Sequence, residues 1–188
     1  MKTLPFSAVL LLAGASVTLH AETTDPDLIQ ARLLVKQFGG QLKAEVAAGM
    51  KAGGPVTTIE ICSAKAPVIA QEVSTASGWD VGRTSLKLRN PANAPDDWEL
   101  KVLQQFEARK AAGEPVATLE YAETIHSGDT QQYRYMKAIP TEEVCLNCHA
   151  AEIKPEVEAK LSQIYPADEA RGFAVGDIRG AFTLSKTN

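Results

Sequence analysis

Five consecutive residues, Cys145-Leu146-Asn147-Cys148-His149, constrain this chain more than any other feature. They form C-x-x-C-H, the spacing by which a protein attaches a c-type haem. On a helical turn, residues three apart share a face, so both thiols can add to the haem vinyl groups while the adjacent imidazole is carried under the iron. Covalent attachment keeps the cofactor from being lost outside the cell. Two other readings of the pair are a redox-active dithiol, which asks for a βαβ context and no histidine, and half a zinc site, which asks for a second ligand pair that this sequence lacks. One covalently bound haem c is the expected cofactor, with His149 as its proximal iron ligand.

That chemistry takes place beyond the bacterial membrane, and the N-terminus fits export. Lys2 supplies a positive start, Leu4 to Ala15 an apolar stretch interrupted by Pro5, Ser7 and Gly14, and Leu19-His20-Ala21 a small residue at a cleavage point. Residues 1–21 read as a signal peptide and residues 22–188 as a single domain with a core of its own. The apolar stretch falls short of the roughly 20 residues that span a bilayer, so a periplasmic protein without stable membrane insertion is expected. In such an oxidising compartment the 3 cysteines are an odd number, and Cys62 is left over once the motif has used two. Lys+Arg 19 against Asp+Glu 23 gives a net charge of −4, and loss of Lys2 with the signal takes it to −5. No basic field is present to hold nucleic acid.

Asp25-Pro26 reads as a helix cap and first turn, after which Leu28, Ala31, Val35, Phe38, Leu42 and Val46 recur at helical spacing to about Lys51. Gly53-Gly54 stops this long helix, and Pro55 opens a second segment with Val56, Ile59, Cys62, Ala66, Ile69 and Val73 on one face, although Val56 to Ile61 also suits a strand. Pro67 predicts a break or a new start. Thr84 to Arg89 alternates as a half-buried strand, and Asn90 to Pro95 is turn chemistry. Asp96-Asp97 begin a helix carrying Trp98, Val102, Phe106 and Lys110, which Gly113 ends. Val116 to Ile125 and Gln131 to Ile139 read as strands around the loop Ser127-Gly128-Asp129. Pro155 to Ile164 suits a short helix, and Gly172 to Leu184 holds two apolar stretches about Gly176. Helices followed by an antiparallel meander predict an α+β domain.

The ligand opposite His149 is not settled by spacing. His20 leaves with the signal, and His126 falls at the expected hairpin tip. Met50 ends the first helix and Met136 lies on a strand, where an inward methionine serves as a ligand or as core filler. Cys62 reads equally as a buried inert thiol, an intermolecular disulfide partner or a ligand.

Four stretches narrow the choice: Ile59 to Pro67, Gly82-Arg83-Thr84-Ser85-Leu86-Lys87-Leu88-Arg89-Asn90-Pro91 continuing to Glu99, the C-x-x-C-H turn, and Gly176-Asp177-Ile178-Arg179-Gly180-Ala181. In that order they resemble the Tll0287-like family of c-type haem proteins over nearly the whole exported chain. The resemblance implies a PAS-like antiparallel sheet with flanking helices and a long N-terminal helix. It also implies an unusual axial pair, His149 and the thiolate of Cys62. A thiolate donor favours ferric iron, so reduction is expected to weaken the iron–sulfur bond and open a position for a small gas. Arg83, Lys87 and Arg89 either pair with the haem propionates or brace a strand face. Tyr133 and Tyr135 reach a propionate or pack in the core, Arg179 is expected to pair with Asp177, and Trp98 is expected in the core.

Two function classes follow. The first is a non-enzymatic mono-haem cytochrome in electron transfer or redox or gas sensing. With no kinase or cyclase read after the domain, a sensor of this kind would report to a separate partner protein. The alternative is a haem enzyme of the peroxidase or nitrogen-oxide reductase type, which needs an open distal site that a Cys62 ligand would block.

Overall fold

The computed structural model describes residues 25–187, so the expected signal peptide, residues 1–21, lies outside the described residues. Asp25 caps the first helix, its carboxylate accepting from the N–H groups of Asp27 at 2.9 Å and Leu28 at 3.3 Å. Helix α1 spans Pro26–Ser77 and is folded back on itself at Gly53 and Gly54. Gly54 has φ 75 and ψ −158, a conformation open to glycine and strained for other residues. A Cβ on Gly49 would lie 2.8 Å from the Cα of Thr58, whereas a straight helix holds residues nine apart roughly 13 Å from each other. The two arms, residues 26–52 and 55–77, therefore lie side by side near the bend. Pro67 breaks neither the second arm nor its direction, because Ala66, Ile69, Ala70 and Val73 on either side of it are held against the core.

Four antiparallel strands form one sheet in the order β1-β4-β3-β2. Strand β1 is Asp80–Thr84, β2 Glu120–Ser127, β3 Thr130–Pro140 and β4 Ile178–Thr187. Both arms of α1 cover one face, with Ala31, Leu34, Phe38, Leu42, Ile69 and Val73 packed on Val81, Tyr133, Tyr135 and Leu184. Helix α2, Asp97–Ala111, covers the other face through Val102, Leu103 and Phe106 on Met136, Ala138 and Ala181. Its start is a reciprocal cap: Asp96 accepts from the N–H of Glu99, and the Glu99 carboxylate accepts from the N–H of Asp96. The architecture is α+β, as the sequence pattern predicts. Among the described residues no helix is long and apolar enough to cross a membrane.

Two strand boundaries are corrected. The strand expected over Thr84 to Arg89 starts four residues earlier and ends where the expected one began, as Asp80–Thr84. At Ser85 the hydroxyl turns onto the N–H of Lys87 at 3.2 Å, a local bond that competes with the sheet ladder and diverts the chain. The strand expected from Val116 begins at Glu120, after the 3-10 turn Val116–Thr118 in which the Thr118 hydroxyl donates to the Pro115 carbonyl at 2.7 Å. Of the two apolar stretches around Gly176, only the second is a strand. Trp98 is half-buried at the rim of the α2 core, under the Arg134 guanidinium at 4.3 Å and donating to Glu123 at 2.8 Å.

Candidate functional site

Beyond β3 the chain makes a 3-10 turn, Glu143–Cys145, and one turn of α-helix, α3, Leu146–His149. Helix α4, Pro155–Ile164, follows. Cys148 packs with Ile59, Val157 and Leu161, a cluster formed where α4 meets the second arm of α1. Cys62 lies one helical turn after Ile59 and is half-buried, as are Cys145 and Cys148. Burial pushes the Cys62 thiol up, Arg83 draws it down and Glu45 pushes it up again. Cys62 in turn adds to the upward pressure that burial puts on Cys148, which places the two thiols in one electrostatic neighbourhood. Fold-back of α1 makes this possible, because Glu45 and Cys62 lie on different arms.

His149 is held on both sides of its ring. Its Nδ1 lies 2.8 Å from the Ala170 carbonyl, which can only accept, so Nδ1 carries the proton and Nε2 keeps its lone pair. Nε2 then accepts from Arg89 and from Arg179, each at 3.3 Å. Burial, with Arg179 and Arg89 beside the ring, pushes the imidazole down to about 2, so it is neutral at any physiological pH. The Phe173 ring meets it edge-on at 5.9 Å, and the Phe173 N–H donates to the His149 carbonyl at 3.0 Å.

The segment that presents Ala170 is fastened by Asp168. This carboxylate, 4% exposed, pairs with Arg89 at 3.2 Å and Arg171 at 2.8 Å, and accepts from the Ala170 N–H at 3.0 Å. Arg89 also donates to the Cys148 carbonyl at 2.5 Å, joining the asparagine-proline loop to the C-x-x-C-H turn. Arg83 sits on the α1 face of β1, opposite Phe182, and its side chain has no hydrogen-bond or ion-pair partner among the described residues. Burial pulls its guanidinium below the ordinary range, and Cys62 and Tyr165 partly offset this.

Cys62, Cys145, Cys148, His149, Arg83 and Arg89 thus converge on one region. Met136, His126, Tyr133, Tyr135 and Lys87 do not. Met136 is wholly buried under α2 and His126 is exposed on β2. The Tyr133 hydroxyl donates to Asp25 at 2.9 Å and that of Tyr135 to Glu120 at 2.6 Å, both in the core below α1. Lys87 is exposed and donates to the Arg171 carbonyl at 3.1 Å. The expected Arg179–Asp177 pair is absent: Gly176, at φ 87, turns Asp177 out of the strand, where it meets Lys110 at 2.6 Å and the Ala174 N–H at 2.7 Å.

A family model described as Tll0287-like matches residues 15–186. The chain belongs to the Tll0287-like family. Among solved structures, it is similar to the one described as the crystal structure of the cyanobacterial heme-protein Tll0287, with 26% identity, a TM-score of 0.65, and coverage of 86% of this chain and 95% of that one. No curated protein matches the chain. In this Tll0287-like chain Asp168, Ala170, Phe173 and Arg179 complete the region around His149, and none of the four was singled out for it by sequence. Arg179 carried the nearest thing to a signal, as the charged residue between apolar neighbours at the start of β4.

Proposed function

We propose that the chain is an exported, mono-haem c-type cytochrome that transfers electrons or senses redox state. In this reading Cys145 and Cys148 would anchor the haem covalently, and His149 and Cys62 would hold its iron. The observation that carries it is the Nδ1 bond of His149 to Ala170, because it leaves a neutral imidazole whose unprotonated nitrogen is Nε2, in a C-x-x-C-H turn. This is the tautomer and the orienting contact that metal-ligating histidines use. Similarity to a solved haem protein of the same family supports the cofactor.

The charges of the region also suit haem. Arg83, Arg89 and Arg179 are drawn together, and the buried carboxylate beside them, Asp168, is already paired with Arg89 and Arg171. Buried guanidinium groups in excess of carboxylates favour an anionic guest, and a haem brings two propionates. Val56, Ile153 and Tyr165, partly buried beside Cys148 over the Ile59, Val157 and Leu161 core, offer the apolar wall that a porphyrin face requires. When bound, haem supplies a one-electron iron couple. Around it Cys62 acts as an anionic donor favouring the oxidised state, Asp168 holds the segment that aims His149, and the apolar wall excludes water. Iron held by both His149 and Cys62 would favour a carrier or sensor over an enzyme with an open site.

The test is the optical and EPR spectrum of the ferric protein, isolated after export with haem attachment, beside Cys62→Ser. Loss of the low-spin thiolate signature in the variant is expected. Identical low-spin spectra overturn the Cys62 assignment, and wild-type protein without covalent haem overturns the whole reading.

A further inference from the structure

Helix α3 is a single turn, too short to hold its own orientation, because forming one turn fixes several residues for very few backbone bonds. Its last carbonyls have no partner within the turn and are taken by distant segments. The His149 carbonyl accepts from the Phe173 N–H at 3.0 Å, and the Cys148 carbonyl accepts from Arg89 at 2.5 Å. The Arg89 fork also meets both oxygens of Asp168, at 3.2 Å each. Its side chain is 14% exposed, so water competes little for these bonds. The backbone beside it is paired as well, the Glu169 N–H donating to the Leu88 carbonyl at 2.7 Å. Asp168 bonds the Ala170 N–H, and the Ala170 carbonyl accepts from His149 Nδ1. These contacts close a circuit that runs from Arg89 to Cys148, along the chain to His149, across to Ala170 and back through Asp168 to Arg89.

We propose that Arg89 is a positioning residue of the haem site, which fixes the backbone of the C-x-x-C-H turn and the ring of its histidine relative to one another. This rests on the haem reading above. The contact of Arg89 with His149 Nε2 lies where iron would bind, but its bonds to Cys148 and Asp168 do not depend on that nitrogen. Acting through a backbone carbonyl and a carboxylate at once takes several donors fixed in one plane, which arginine has. Lysine, a single ammonium on a flexible stem, does not hold both. Arg171 provides the contrast: it also bonds Asp168, at 2.8 Å, but its other carboxylate partner is Glu158, outside the circuit.

The experiment reads the ferric EPR signal of holo wild type, Arg89→Lys, Arg89→Gln and Arg171→Gln, with haem stoichiometry as the control for loading. Partners behind a ligand ring set its orientation and tune the metal, so the signal reports the aim of the imidazole. Both Arg89 variants are expected to shift and broaden the signal by a similar amount. Arg171→Gln is expected to keep the wild-type signal, although it too removes a guanidinium from Asp168. A wild-type signal in the Arg89 variants overturns the proposal. Rescue by lysine overturns it as well, since that marks Arg89 as a point charge for a propionate, and an equal shift in Arg171→Gln overturns it by placing the effect in Asp168 alone. Where Arg89→Gln does not accumulate as folded protein, Arg89→Lys against Arg171→Gln decides by the same criteria. Absence of covalent haem in the wild type instead refutes the parent reading.

Discussion

Nδ1 of His149 donates to the carbonyl of Ala170 across 21 residues of sequence, at 2.8 Å, and this one bond orients the imidazole. Its geometry is maintained by Asp168, which bonds the Ala170 N–H and anchors the segment to Arg89 and Arg171. The aim of the histidine thus depends on an ion-pair network outside the C-x-x-C-H turn.

Asp168→Ala leaves the Arg89 and Arg171 guanidinium groups without their buried partner, and breaking such a network costs about 3–5 kcal/mol. Urea unfolding at neutral pH should show a destabilisation of that order. In surviving holo-protein the iron–histidine signature should broaden. A change below 1 kcal/mol would mean that Asp168 is not the anchor.

Gly180→Ala forces a side chain against the Thr84 carbonyl at φ 157, at the end of the β1–β4 ladder next to Arg179. Strain at such a site costs on the order of 1–3 kcal/mol before the clash is added. Thermal unfolding should reveal the loss, and Gly82→Ala, whose Cβ would meet only a Thr183 methyl at 3.7 Å, should lose less. Equal losses from both would sink the argument.

Glu120 ties the first arm of α1 to β2 and β3, accepting from Arg32 and from the Tyr135 hydroxyl at 2.6 Å. The Arg32 hydrogen bond holds its carboxyl below the ordinary value of 4.5. A depressed folded-state value contributes stability above pH 4.5 that disappears as pH falls through the folded-state value. Wild type should therefore lose stability below pH 4.5 more steeply than Glu120→Gln, measured by urea midpoints over pH 3–7. Parallel curves for the two proteins would refute the linkage.

If Cys62 is a thiolate ligand, reduction should weaken its bond to iron, since a protonated thiol is a poor donor to ferrous iron. Dithionite-reduced wild type is expected to take up carbon monoxide, seen as a shifted Soret band. Reduced protein that keeps its low-spin thiolate spectrum and never binds the gas defeats this prediction.

Much of the scaffold was legible because its signals are local. Asp25 and Asp96 cap helices through bonds to N–H groups two or three residues away, and Gly53-Gly54 reverses the chain through backbone freedom alone. The hairpin closes on Gly128-Asp129 because Gly128 takes φ 59. Alternation continues past Thr84, whereas the β1 ladder ends there at a close approach to Gly180, a residue 96 positions away. The Arg179–Asp177 pairing failed for a related reason: two residues apart on a strand suggests a shared face, but Asp177 lies before β4 begins.

By itself the sequence determined the C-x-x-C-H turn, the helix starts and stops, the α+β class and the isolated Cys62, all through spacing and capping within a few residues. Tertiary structure alone decided that Cys62 shares a field with Cys148, that Arg179 rather than Lys87 faces His149, and that the Ala170 carbonyl selects the imidazole tautomer. Those relationships join residues on separate elements through burial and directional bonds. Neither has a periodicity along the chain, so both arise only when the folded arms of α1 and the β4 ladder bring their partners together.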